Sequence, residues 1–169
     1  MALDPSFVGR SYPPTPPYQV GREKIREFAA AIGDANPAYT DVEAARALGH
    51  RDLIAPPTFA IVLSLGASHQ VVKDPALGLD YSRVVHGEQR FSYTRPIVAG
   101  DELSVVVTVE KIRSMAGSDI ITTRGDIVTT DGEAVCSAYS TLVSRAPDPA
   151  PEPTPVPEPT PVPETAVPQ

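Results

Sequence analysis

The sequence predicts an α+β domain in which an antiparallel sheet wraps a long central helix. Three observations carry that prediction. Pro57 to about Val72 (PTFAIVLSLGASHQVV) is the longest apolar helical run, and it is apolar on nearly every side until Ser64, as a buried helix would be. Val84–Tyr93, Glu102–Ile112, Ile120–Thr130 and Ala134–Ser144 then follow as segments rich in Val, Ile, Thr, Tyr and Phe with period-two alternation. The helical patterns precede this run of strands instead of alternating with them, which excludes an α/β arrangement.

Arg10–Pro17 is punctuated by proline and reads as extended, with a short strand at Tyr18–Val20. Arg22–Ile32 places Ile25, Phe28, Ala29 and Ile32 at i, i+3, i+4 and i+7, an apolar helix stripe stopped by Gly33. Asp41–Leu48 is a second short helix, with Asp41 as its N-terminal cap and Gly49 as its stop. Proline in the first turn of the central helix costs nothing, because that amide has no helical partner. Turn signals separate the strands at Pro96–Asp101, Ala116–Asp119 and Asp131–Gly132, and the last of these predicts a hairpin.

The chain divides into a folded domain, residues 1–145, and a proline-rich acidic tail, residues 146–169. The tail holds ten of the 20 prolines, a tandem PEPTPV repeat, and four acids without a base. Alternating prolines lack amide donors and hold φ near the polyproline II value, so a disordered, solvated, semi-stiff arm on the order of 70 Å long is expected. Its reading is either a solubilising extension or a PxxP ligand.

The folded part, with 41% hydrophobic residues across the 169-residue chain, supports one core and hardly two. A net charge of −7 leaves no basic surplus for phosphates, which argues against nucleic-acid binding. No stretch reaches the roughly 18 apolar residues of a membrane span. Cys136 is the single cysteine and demands no oxidising compartment, so a soluble cytoplasmic protein is expected. No His/Cys/Asp cluster has metal-ligand spacing, and there is no P-loop or GxGxxG; no metal and no cofactor are expected.

The informative segment is the loop Gly33–Thr40, GDANPAYT, which carries Asp34 and Asn36 before Pro37. Together with Leu53–Phe59 (LIAPPTF) and Arg95–Glu102 (RPIVAGDE), it resembles the MaoC-like (R)-specific hydratase/dehydratase family over roughly residues 8–145. Those proteins carry a D-x-N-P-x-H loop, an I-A-H-G segment opening the central helix, and a P-x-x-x-G-D turn. VHGEQRFSYTRPIVAGD (Val85–Asp101) is similar to the N-terminal MaoC dehydratase subtype. The resemblance implies a single hot-dog fold and acyl-thioester chemistry. Syn addition of water to an enoyl thioester needs a base for the water and an acid for the α-carbon, and the loop Asp and His hold that water. Charge on the thioester oxygen needs an N–H donor, which the glycine of I-A-H-G supplies at the helix start.

Asp34 and Asn36 match the motif as its catalytic positions. The histidine position is Tyr39, whose phenol, near pKa ~10, is a poor base at neutral pH. I-A-H-G becomes Ile54–Ala55–Pro56–Pro57, so Pro57 stands where the glycine donates an N–H. Tyr39, Pro57, Thr58 and His86 are the implied substrate-binding positions. Each also has a plainer reading: turn capping for Asp34 and Asn36, packing for Tyr39, a structural hydrogen bond for His86. Arg51, Arg90 and Arg95 are either contacts for a carrier phosphate or solvated charges.

Two departures in one site, with the LIAPPTF segment, resemble the HadA-type subunit of (3R)-hydroxyacyl-ACP dehydratases, also grouped as UPF0336 proteins. The resemblance implies a weakly catalytic or non-catalytic subunit that helps form the acyl channel and pairs with a MaoC-like catalytic hot-dog subunit. Two alternatives stay open: a self-sufficient (R)-specific enoyl-CoA hydratase using Asp34, and a non-enzymatic homodimer binding acyl-CoA. All three take an acyl-CoA or acyl carrier protein thioester and imply a dimer, because an open sheet leaves edge strands to pair.

Overall fold

A computed structural model describes residues 3–115 and 117–145; the proline-rich tail lies outside the described residues. The elements are β1 (Tyr18–Gln19), α1 (Arg22–Ala31), α2 (Val42–Ala47), α3 (Ile61–Val72), β2 (Val84–Tyr93), β3 (Glu102–Met115), β4 (Ser118–Thr129) and β5 (Ala134–Arg145). The strands form one antiparallel sheet in the order β1-β3-β4-β5-β2. Its inner face packs on α3 through alternating residues such as Leu103, Val105, Val107, Ile121 and Ile127, all buried. Gly125 lets the helix come close: a Cβ there would lie 3.2 Å from Val105 Cγ1 and 3.9 Å from the Ser64 Cβ.

The two sheet edges differ. Along β3, the N-terminal segment hands over three backbone bonds, from Gly9, Tyr12 and Thr15 to the carbonyls of Val109, Val107 and Val105. Together with β1, it covers that edge. Among the described residues, no strand pairs with the outer edge of β2.

Most element boundaries match the sequence pattern, with informative exceptions. The central helix starts at Ile61, not Pro57; residues 57–60 make tight turns, with Phe59 N–H on Pro56 O and Ile61 N–H on Thr58 O. Ile32, counted into the apolar stripe of α1, caps the C-terminal end of the helix and is 48% exposed. Ile25 and Ala29 are buried as expected, and Phe28 meets Phe59 edge to face at 5.3 Å. The β4–β5 turn is a three-residue loop, Thr130–Gly132, with Thr129 N–H on Glu133 O and Gly132 at φ +94°. The hairpin expected at Asp131–Gly132 is formed, with the left-handed glycine closing the loop. None of the helices among the described residues is long and apolar enough to cross a membrane.

Candidate functional site

The loop between α1 and α2 is organised by its own acids and amides. Gly33, at φ +70°, turns the chain, and Asp34 N–H returns to the Ala29 carbonyl. Asp34 Oδ1 accepts from Asn36 N–H at 3.1 Å, and Asn36 Oδ1 accepts from Ala38 N–H at 3.0 Å. Asn36 thereby caps the single 3-10 turn Pro37–Tyr39, which buries Ala38 and Tyr39. Burial raises the Tyr39 phenol above its ordinary value, the Asp34 charge adds to that, and the Asn36 side chain opposes it. A phenol so placed is ionised to a still smaller fraction at neutral pH than a free tyrosine, so less phenolate is available as a base. The structure thus brings Asp34, Asn36 and Tyr39 together.

The segment after α2 is pinned beside that loop. Ile54 N–H bonds Ala38 O, Ala55 N–H bonds Ile97 O, and Ala99 N–H bonds Leu53 O. Asp101 anchors the far side of this arrangement. Its buried carboxylate accepts from Val98 N–H at 2.9 Å, Arg95 Nη1 at 2.8 Å and Arg51 Nη2 at 2.5 Å. Arg95 is also held by Glu133, and these partners keep its guanidinium charged. Arg90 lies over the Tyr139 ring at 3.7 Å. All three arginines offered for a carrier phosphate therefore have intrachain partners. In the sequence Asp101 stood as part of a turn signal and of the P-x-x-x-G-D motif, without its arginines, which lie 50 and 6 residues away.

Pro56 is buried, while Pro57 and Thr58 face solvent. Tyr93 Oη donates to the Pro57 carbonyl at 2.7 Å, and burial pushes that phenol's titration well up. Pro57 has no N–H, so the first main-chain donor after the proline pair is Thr58. No acceptor among the described residues meets the Thr58 N–H.

Thr58 opens a cleft of about 660 Å³ between α3 and β2, walled by Ile61, Leu65, Tyr81, Phe91 and Leu142 and lined also by His86. The Asp34–Tyr39 loop does not line this cleft. The side chains of β2 reach it because the strand is bulged. His86 pairs with Leu142 and Glu88 with Thr141, so Gly87 is an extra residue that reverses the alternation. Val84 and His86 face inward before the bulge, and Gln89 and Phe91 after it. His86 shares a hydrogen bond with Ser140 Oγ, Nε2 to Oγ 3.1 Å.

The chain and its fold have known relatives. The family described as FAS1-like, dehydratase domain region, matches residues 6–138. The chain belongs to the MaoC-like dehydratase family. Within it, a UPF0336 protein of Streptomyces coelicolor is 64% identical over 150 residues, spanning 89% of this chain and 100% of the relative. A UPF0336 protein of Saccharopolyspora erythraea is 59% identical over 152 residues, or 90% and 97% of the two chains. The C-terminally truncated HadBC (3R-hydroxyacyl-ACP dehydratase) complex of Mycobacterium tuberculosis superposes with a TM-score of 0.74 at 34% identity, covering 85% of this chain and 100% of that one. A protein solved as a MaoC-like dehydratase gives a TM-score of 0.77 at 35% identity; the match covers 83% of this chain and 43% of that longer one. The family's hot-dog fold is the wrapped sheet and central helix described above.

Proposed function

We propose that this chain is a subunit of a (3R)-hydroxyacyl-thioester dehydratase, supplying an acyl cleft while a partner hot-dog subunit supplies the Asp–His pair. The observation that carries the reading is the pairing of a formed apolar cleft with an incomplete reacting end. The cleft between α3 and β2 is large enough for a medium acyl chain. In the motif loop, which does not itself line the cleft, a buried tyrosine with a raised pKa stands where the family has its histidine, and at the helix start Pro57 withholds the N–H that would hold the thioester oxygen. A donor of that kind is typically worth ~3–4 kcal/mol, and a general base a factor of roughly 100 or more. The outer edge of β2, which borders the cleft, is where a second hot dog adds its strand to the sheet. The HadBC neighbour is a complex of this sort by its printed description, which supports a paired assembly for this chain.

The test is hydration of an enoyl thioester by the chain alone and by the chain mixed with a hot-dog partner carrying an intact D-x-N-P-x-H loop. Activity only in the mixture is the expected result. Strong activity of the chain alone, removed by Asp34→Asn, overturns the subunit reading. That outcome would favour a self-sufficient hydratase, for which the unengaged Thr58 N–H and the position of His86 on the cleft are the supporting observations. Tight acyl-thioester binding without turnover, indifferent to any partner, would favour a binding homodimer.

A further inference from the structure

The cleft between α3 and β2 does not end in hydrocarbon. Beyond Leu65 and Tyr81 it opens into a nook of about 40 Å³ bordered by Ser64, Ser68, His69, Gln89 and Ser140. Two buried polar atoms there, Ser64 Oγ and Gln89 Nε2, have no hydrogen-bond partner. Leaving such groups unpaired forfeits the hydrogen bonds they make to water in the unfolded chain, so a ligand or water that meets them recovers a large effect.

Neither orphan is explained by packing. Ser64 is only 6% exposed and sits over Gly125, where a small residue is required. Alanine would satisfy that requirement without burying a hydroxyl. A helical serine can also satisfy itself by bonding the carbonyl one turn back, and Ser68 does so onto Ser64 O at 2.8 Å. Ser64 makes no such bond to Ala60, leaving its hydroxyl to the nook. Gln89 reaches the same nook because the Gly87 bulge reverses the alternation of β2. One side chain comes from the helix and one from the sheet, and both offer donors across a space the size of one oxygen-bearing group.

We infer that Ser64 and Gln89 form a polar subsite that selects acyl chains bearing an oxygen function, a hydroxyl or keto group, along the chain over plain alkyl chains. This rests on the acyl-cleft reading of the preceding section. A methylene in the nook leaves both donors unpaired, whereas a chain oxygen accepts from both. Discrimination by buried polar groups is steep for this reason. His86 and Ser140 are already engaged with each other at the mouth of the nook, so they do not compete for that oxygen.

The test measures binding of decanoyl-CoA and of a series of hydroxydecanoyl-CoA positional isomers to the full chain by calorimetry. One isomer, with its hydroxyl at the depth of the nook, is expected to bind about tenfold tighter than decanoyl-CoA. In Ser64→Ala/Gln89→Leu that preference should vanish or reverse, while decanoyl-CoA affinity holds or rises. Ser64→Ala alone keeps the packing over Gly125 and should melt no lower than the parent, which separates loss of the subsite from loss of the fold. If every thioester binds equally, or the preference survives the double substitution, the subsite is refuted and the acyl cleft stands. If no thioester binds, the acyl reading itself fails, and the subsite with it.

Discussion

Replacing Asp101 by alanine should cost about 3 kcal/mol, and the size follows from what its carboxylate holds. The Val98 amide is left without an acceptor inside a buried turn, at roughly 1–3 kcal/mol. The Arg95 pair, 24% exposed on the arginine side, contributes about 1 kcal/mol more, since Arg95 keeps Glu133 and stays partly solvated. Arg51 is 61% exposed and adds little. At roughly 3 °C per kcal/mol for a domain of this size, the melting temperature should fall by about 10 °C. Asp101→Asn keeps an acceptor for Val98 and loses only the charge, so it should cost about half as much. Urea denaturation with an unchanged slope gives the free energies directly. An alanine variant within about 0.5 kcal/mol of the parent would refute the assignment of Asp101 as the anchor of the 95–102 turn. An asparagine variant as unstable as alanine would refute the share given to Val98.

Two further outcomes follow from the site and its surroundings. Arg22 donates to both oxygens of Asp52, at 2.9 and 2.6 Å, and these bonds hold the Asp52 carboxyl below the ordinary aspartate value, with burial opposing. A lowered folded pKa stabilises above the unfolded value near ~3.9 and loses that stabilisation as pH falls through the folded value. Asp52→Asn should therefore cost up to about 1 kcal/mol at pH 7, because Arg22 is half exposed, and the difference should shrink in melts below about pH 4. A difference that is constant with pH would contradict the Arg22 assignment. Tyr39→His together with Pro57→Gly restores both missing parts of the reacting end, and the pair should raise enoyl-thioester hydration by the chain alone by roughly 100-fold or more. Each single change should stay near background; a well-folded double variant at background would show that these two positions are not what the site lacks.

The elements were legible because their signals are local. The alternation of β3 and β4, the Asp41 cap and the glycine stops all act within a few residues, and each lands where the sequence put it. What escaped depends on chain segments meeting across the fold. Asp101 looked like one more turn residue because its Arg51 partner is 50 positions away. The inward turn of Gln89 depends on a bulge at Gly87, and no alternation count places Gln89 and His86 on one face when they are three residues apart. Thr58 was legible as a position beside the helix start, but its unengaged N–H required knowing that the helix begins at Ile61.

The retained Asp34 and Asn36 carry less chemical information than their motif suggests. Each side chain already does structural work: Asp34 closes the turn onto Asn36 N–H, and Asn36 caps the 3-10 turn that seats Tyr39. Removing either would leave the turn or the 3-10 start without its cap, at about 1 kcal/mol for a lost cap. A subunit that had given up the reaction would therefore keep both residues for the sake of the loop. Tyr39 and Pro57 are different in kind, since a histidine or a glycine there would serve packing no better. On the subunit reading proposed above, Tyr39 and Pro57 are the positions that carry the loss, and Asp34→Asn is the probe of the two motif positions that remain. Asparagine preserves the Oδ1 acceptor for Asn36 N–H, so the loop should hold while the carboxylate is lost. An activity lost in that variant would belong to the charge of Asp34 and not to the turn it supports.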